Sequence, residues 1–265
     1  WRPVLDRLTQ ANADGLKITG QVAPRPVGMF FGLDLSLHYF SSHPSYKAIA
    51  HLSLAERVER MRDPAFRAQL LSEQPEDSNP TTLQLIDAFR GTCPWGDTPN
   101  YEPQRDERMA QLAAAAGVPL AEYAYDALLE RDGSALFYLA AANYTEGNLD
   151  AVRTMLGHPN TVMALADGGA HYGLICDASF PTYYLQRWVR DASDAQRIPL
   201  PQAIAEMTSR TADLVGLADR GRLVEGMKAD INVIDMESLR LDVPTIAYDL
   251  PAGEPLPPQN QSSPL

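Results

Sequence analysis

Three features of the sequence predict an α/β fold with its chemistry at strand ends. Residues 162–166 (Val-Met-Ala-Leu-Ala) form an unalternated apolar run that stops on Asp167-Gly168-Gly169. Such a run suits a strand buried on both faces of a parallel sheet. The chain opens with a helical pattern, then a strand pattern, then an abrupt Pro24-Arg25-Pro26 loop. Helix starts are legible at Ser53, Asp63 and Asn79. A carboxylate at the carboxyl end of a parallel strand sits where α/β proteins place their chemistry, which makes Asp167 the first candidate catalytic residue. Gly168 and Gly169 let the backbone turn sharply and approach a ligand, and His171 lies within reach of the same mouth. The rival is an Asp that only caps the turn.

Taken in order, Val4, Leu5, Leu8 and Ala11 recur at helical spacing, and Gly15 ends that helix. Residues 16–23 read as a strand closed by Pro24-Arg25-Pro26, since proline cannot continue a central strand. A guanidinium at a strand mouth is a natural bidentate clamp for a carboxylate, so Arg25 is a candidate for substrate binding; the rival is a surface Arg in a Pro-rich loop. An apolar loop follows, with Phe30, Phe31, Leu33, Leu35, Tyr39 and Phe40. Ser53 and Glu56 form a capping box, and Asp63-Pro64 and Asn79-Pro80 place an N-cap before a first-turn proline. Residues 106–116, 120–130 and 148–158 read as amphipathic helices. Residues 136–143 suit strand or helix and end on Asn143-Tyr144. Helices are predicted over 180–192, 200–207 and 209–215, with Gly216 closing the last. Residues 220–226 then read as strand and turn and 229–235 as a β-rich segment, with a domain boundary near Leu217.

The chain has 22 Lys and Arg against 34 Asp and Glu, a formal charge of −12. This argues against nucleic acid or an anionic membrane as partner. No apolar run approaches the ~18 residues of a membrane span. The two cysteines, Cys93 and Cys176, are far apart, so a reducing compartment, the cytoplasm, is expected. The five histidines form neither HxH nor HExxH, and no complete metal site is visible.

Two stretches together carry a family resemblance. Residues 221–235 (Gly-Arg-Leu-Val-Glu-Gly-Met-Lys-Ala-Asp-Ile-Asn-Val-Ile-Asp) resemble the closing motif of the amidohydrolase superfamily, where the chain leaves a barrel for a small β-sandwich. Residues 165–171 (Leu-Ala-Asp-Gly-Gly-Ala-His) resemble its last barrel strand with the active-site Asp. Residues 177–182, 188–191, 101–103 and 143–150 are similar to the D-aminoacylase branch, the N-acyl-D-amino-acid deacylases and their relatives. The resemblance implies the C-terminal part of a TIM-type (β/α)₈ metal-dependent hydrolase. Residues 16–23 and 162–166 would be strands seven and eight, residues 1–217 the barrel part with a helical insertion at about 29–158, and 218–253 part of the sandwich. Residues 254–265 would be a disordered tail. It further implies zinc, whose histidine ligands would mostly precede Trp1, so that the missing first half of the barrel is a partner; a second copy of the chain is another candidate. Asp167 would carry the proton and touch the metal. Arg25, His171, Gly168, Gly169 and Asn143 would meet a small amide substrate, an N-acyl-(D-)amino acid. Where deacylases end the seventh strand in Tyr-Pro-Tyr, this chain has Ala23-Pro24-Arg25. The alternatives are a cyclic-amide hydrolase of dihydroorotase or hydantoinase type, and a non-catalytic fragment.

Overall fold

The computed structural model describes residues 1–164, 171, 173–247 and 256–259. The chain is α/β with mixed sheets. Helix α1 (Arg2–Ala13) ends where Gly15 takes φ 89°, a value that glycine adopts without strain. The Leu16 amide donates to the Ala11 carbonyl at 3.0 Å and the Asn12 amide side chain to Ile18 O at 2.8 Å. These bonds spend residues 16–18 on closing the helix, so β1 (Gly20–Val22) is shorter than the predicted 16–23.

Strand β2 (Val27–Phe31) opens the insertion. Four short helices follow: α2 (Pro44–Ile49), α3 (Leu54–Met61), α4 (Pro64–Ser72) and α5 (Pro80–Asp87). The Ser53–Glu56 capping box forms in full, and the Asp63 and Asn79 side chains accept from the Ala65 and Thr81 amides. Next come β3 (Cys93–Pro94), α6 (Met109–Ala116), α7 (Leu120–Leu128) and β4 (Phe137–Ala142). Strand β4 lies between β2 and β3 in an antiparallel sheet.

That sheet is a partition. Phe30 faces Tyr138 across it, and both join one core with Trp95 and Tyr101. The next pair, Phe31 and Phe137, joins a second core among α2 to α7. Side chains alternate between faces along a strand, so neighbouring phenylalanines serve different cores. The segment read as an apolar loop is thus the wall between the helical insertion and the rest.

Helix α8 (Asp150–Leu156) leads into β5 (Thr161–Met163), which pairs in parallel with β1 in the register Gly20–Thr161 to Val22–Met163. All three β5 residues are buried, as expected for a strand covered on both faces. The predicted continuation through Leu165 and Ala166 lies outside the described residues. The helix predicted over 180–192 is instead a single turn, α9 (Phe180–Tyr183), continuing as a π-helix over Tyr184–Arg190. The wider turn buries Tyr184, Leu185, Trp188 and Val189 together. Helices α10 (Leu200–Met207) and α11 (Ser209–Leu214) follow, and Gly216 has φ 76°.

The strands expected over 220–226 and 229–235 are absent. Ile231 is 61 % exposed and Val233 81 %, and neither stretch has a ladder partner among the described residues. A strand without a partner leaves its backbone to water and gains no cross-strand contact. Strands β6 (Thr245–Ala247) and β7 (Leu256–Gln259) form an antiparallel pair. No helix of the described residues is long and apolar enough to cross a membrane.

Candidate functional site

Because β1 and β5 run parallel, the residues that follow them leave the sheet at the same end. The Ala164 amide extends the ladder by donating to Val22 O at 2.9 Å. Past β1 the chain turns at Pro24, whose carbonyl accepts from the Trp188 indole at 2.6 Å. Past β5 come Asp167, Gly168 and Gly169, which lie outside the described residues.

Arg25 is 1 % exposed. Its Nη2 donates to Asp177 Oδ1 at 3.0 Å and to the Cys176 carbonyl. The guanidinium carbon lies 3.6 Å from the Tyr101 ring centroid and 4.7 Å from that of Phe180. Burial works against its charge, but Tyr101, Tyr138 and Asp177 outweigh that, and the net shift is upward. Arg25 is therefore a fixed cation. The carboxylate it meets in this structure belongs to its own chain.

Asn143 stands at the same mouth. It takes φ 66°, a left-handed conformation that asparagine tolerates, and its side-chain amide donates to Ala23 O at 3.4 Å. His171 is exposed and also left-handed, at φ 54°. Its carbonyl accepts from the Leu174 and Ile175 amides at 2.8 and 3.0 Å, and the Leu174 carbonyl in turn accepts from the Phe30 amide at 2.7 Å. The loop after β5 is thereby tied to the partition sheet. Of the candidate residues, Arg25 and Asn143 converge on the end of β1, and His171 lies on the loop beyond β5.

Asp177, Tyr101 and Phe180, the immediate surroundings of Arg25, lie in stretches that carry the family resemblance, but nothing in the sequence pointed to their meeting Arg25. Tyr101 and residues 177–180 lie in segments far from Arg25 in the chain, with Asp177 152 positions away. A pairing between such distant residues has no local pattern to reveal it.

Among the described residues no group of three His, Cys, Asp or Glu side chains is placed to hold a metal ion. His38 and His43 are buried in an aromatic cluster, with His38 4.2 Å from the Tyr46 ring and His43 5.0 Å from that of Phe40. Burial, aided by Arg57 and His43, depresses the His38 pKa to about 3. That keeps the imidazole neutral, as a ligand must be, but no carboxylate or thiolate among the described residues completes a metal site with it. The described residues do not fit zinc.

No solved structure matches this chain. The N-acyl-D-glutamate deacylase of Alcaligenes xylosoxydans xylosoxydans is 41 % identical to it over 70 residues, which are 25 % of this chain and 14 % of that protein. The matched stretch thus spans well under two thirds of that relative's length. The amidohydrolase family matches residues 5–253, nearly the whole chain. On that match, the chain belongs to the amidohydrolase family, in its D-aminoacylase branch.

Proposed function

We propose that the protein carrying this chain is a hydrolase of non-peptide amide bonds whose substrates are N-acyl amino acids of the D series. In this reading the chain supplies the C-terminal part of a (β/α)₈ barrel and part of a β-sandwich. One observation carries it: within a family match that spans both strands, β1 and β5 pair in parallel. In sequence, Asp167 comes four residues after the last residue of β5, whose carboxyl end points the same way as the end of β1 where Arg25 and Asn143 stand. The similarity to a deacylase of N-acyl-D-glutamate favours the D-configured acyl amino acid over a cyclic amide.

Asp167 is the proposed proton carrier. A carboxylate is ionised at pH 7, so it takes a proton from the attacking water and returns it to the leaving amine as the C–N bond breaks. Gly168 and Gly169 bring the backbone close to the substrate, and His171 and Asn143 line the approach. Metal dependence comes with the family, and the ligands for zinc are proposed to lie outside the described residues.

The test uses the protein expressed from the whole reading frame that contains this chain. N-acetyl-D-glutamate, N-acetyl-L-glutamate and a dihydropyrimidine are offered in parallel; free amine is measured for the first two, and loss of ring absorbance for the third, whose opening yields an N-carbamoyl acid and no amine. Release from the D-substrate ahead of the other two is expected. Turnover of the cyclic amide with none of either acyl amino acid would overturn the reading.

A further inference from the structure

Three segments meet around the Arg25 guanidinium. The loop after β1 supplies Arg25 itself. The loop leading to α9 supplies Asp177, and the start of α9 supplies Phe180. The irregular segment of the insertion between β3 and α6 supplies Tyr101, whose ring also packs on Trp95, Tyr138 and Tyr183 at centroid distances of 5.0, 5.3 and 5.7 Å. The residue after Tyr101 makes a second anchor. Glu102 receives Arg187 Nε at 2.5 Å and Nη2 at 3.3 Å, and Tyr183 Oη at 3.1 Å. The insertion segment is thus fastened at two successive residues: Tyr101 to the mouth of β1, and Glu102 to α9 and the π-helix that continues it.

We propose that Arg25 is a positioning residue that locks the Tyr101 segment of the insertion and the Asp177 loop into one wall beside the strand mouth. The guanidinium is 1 % exposed, which shuts it off from a carboxylate arriving from water, while its Nε and Nη1 have no hydrogen-bond partner among the described residues. Its ion pair and its ring contacts are each strongest when desolvated. The planar group suits this place because it can stack on rings while donating in its own plane. Arg25 therefore acts on substrate through Tyr101 and Asp177, and the insertion is part of the site rather than an ornament on the barrel.

The first measurement needs no substrate. Amide hydrogen exchange is followed over residues 96–104 and 176–180 in the whole-reading-frame protein, in Arg25→Lys, Tyr101→Leu and Tyr101→Phe, and in the Arg25→Lys/Tyr101→Leu double variant. Arg25→Lys and Tyr101→Leu should each speed exchange in both segments on the order of tenfold. The double variant should be no faster than the worse single one, since both remove the same contact, and Tyr101→Phe, which keeps the ring face but loses the hydroxyl that bonds the guanidinium, should fall between Tyr101→Leu and the parent. Parental exchange in Arg25→Lys and Tyr101→Leu would overturn the proposal. The second measurement rests on the deacylase reading. Arg25→Lys should lose kcat/KM equally for an N-acyl amino acid and for its carboxamide. A loss confined to KM for the free acid would assign Arg25 to the substrate instead. If neither compound is turned over by the parent, the deacylase reading fails while the exchange result still decides the role of Arg25.

Discussion

Arg25 and Asp177 form an ion pair of 3.0 Å between two buried loops, their side chains only 1 % and 4 % exposed. Such a pair is poor evidence of added stability, yet breaking it from one side is costly because the surviving charge stays buried.

Removing the carboxylate alone should therefore be the harsher change. Asp177→Ala is expected to cost about 3–5 kcal/mol, read from urea unfolding of the whole-reading-frame protein. Replacing both partners, Arg25→Met with Asp177→Leu, should cost less than Asp177→Ala alone. A single-variant loss below about 1 kcal/mol would be the behaviour of an exposed pair and would contradict the buried geometry.

The partition sheet depends on one close approach. A β-carbon on Gly28 would meet the Leu139 carbonyl and lie 2.5 Å from the Tyr138 ring. Gly28→Ala must push β2 away from β4 and loosen both cores. A loss of at least the ~1–3 kcal/mol typical of overpacking is expected in the same unfolding experiment. Unchanged stability would mean that the two strands do not pair as described.

His38 makes stability depend on pH in a stated direction. Its pKa is about 3 when folded, set by burial and then by Arg57 and His43, against 6.5 when unfolded. Between those values the unfolded chain binds the proton and the folded chain does not. Stability is thus full above the unfolded pKa and is lost as pH falls through 6.5 towards 3, with a slope of up to about 1.4 kcal/mol per pH unit. The neighbouring His43, whose pKa burial also lowers, acts in the same sense. Unfolding measured between pH 7 and pH 5 should show the slope, and His38→Asn should flatten much of it. An unchanged slope in His38→Asn would place the titration elsewhere.

What could be read from the sequence was local. The stop at Gly15, the Ser53–Glu56 box and the caps at Asp63 and Asn79 each depend on residues within one turn, and each forms. The parallel neighbours β1 and β5 were legible as a strand pattern closed by prolines and an apolar run, though β1 is cut short by the hydrogen bonds that close α1. The partition sheet was not legible. Its strands β2 and β4 are separated by the whole helical insertion, and adjacent Phe30 and Phe31 serve two cores, so the segment lacks the polar alternation of a one-faced strand. Residues 136–143 stayed between strand and helix for the same reason, since Phe137 and Tyr138 enter different cores on opposite faces of β4, whose far end at Ala141 and Ala142 is exposed. Residues 229–235 have the composition of a strand but no partner among the described residues, and composition alone does not hold a strand. At the candidate site, Arg25 and Asn143 announced themselves as strand-end polar residues, whereas the ring and carboxylate that receive Arg25 come from distant segments.

The most direct test of the proposed hydrolase falls on Asp167. Asp167→Asn in the whole-reading-frame protein keeps the shape of the side chain and removes the proton acceptor. Steady-state hydrolysis of an N-acyl-D-amino acid is measured alongside zinc content and the unfolding midpoint. The account predicts a fall of ~10²–10⁴ in kcat, with metal and stability near those of the parent. Activity within a few-fold of the parent would contradict it.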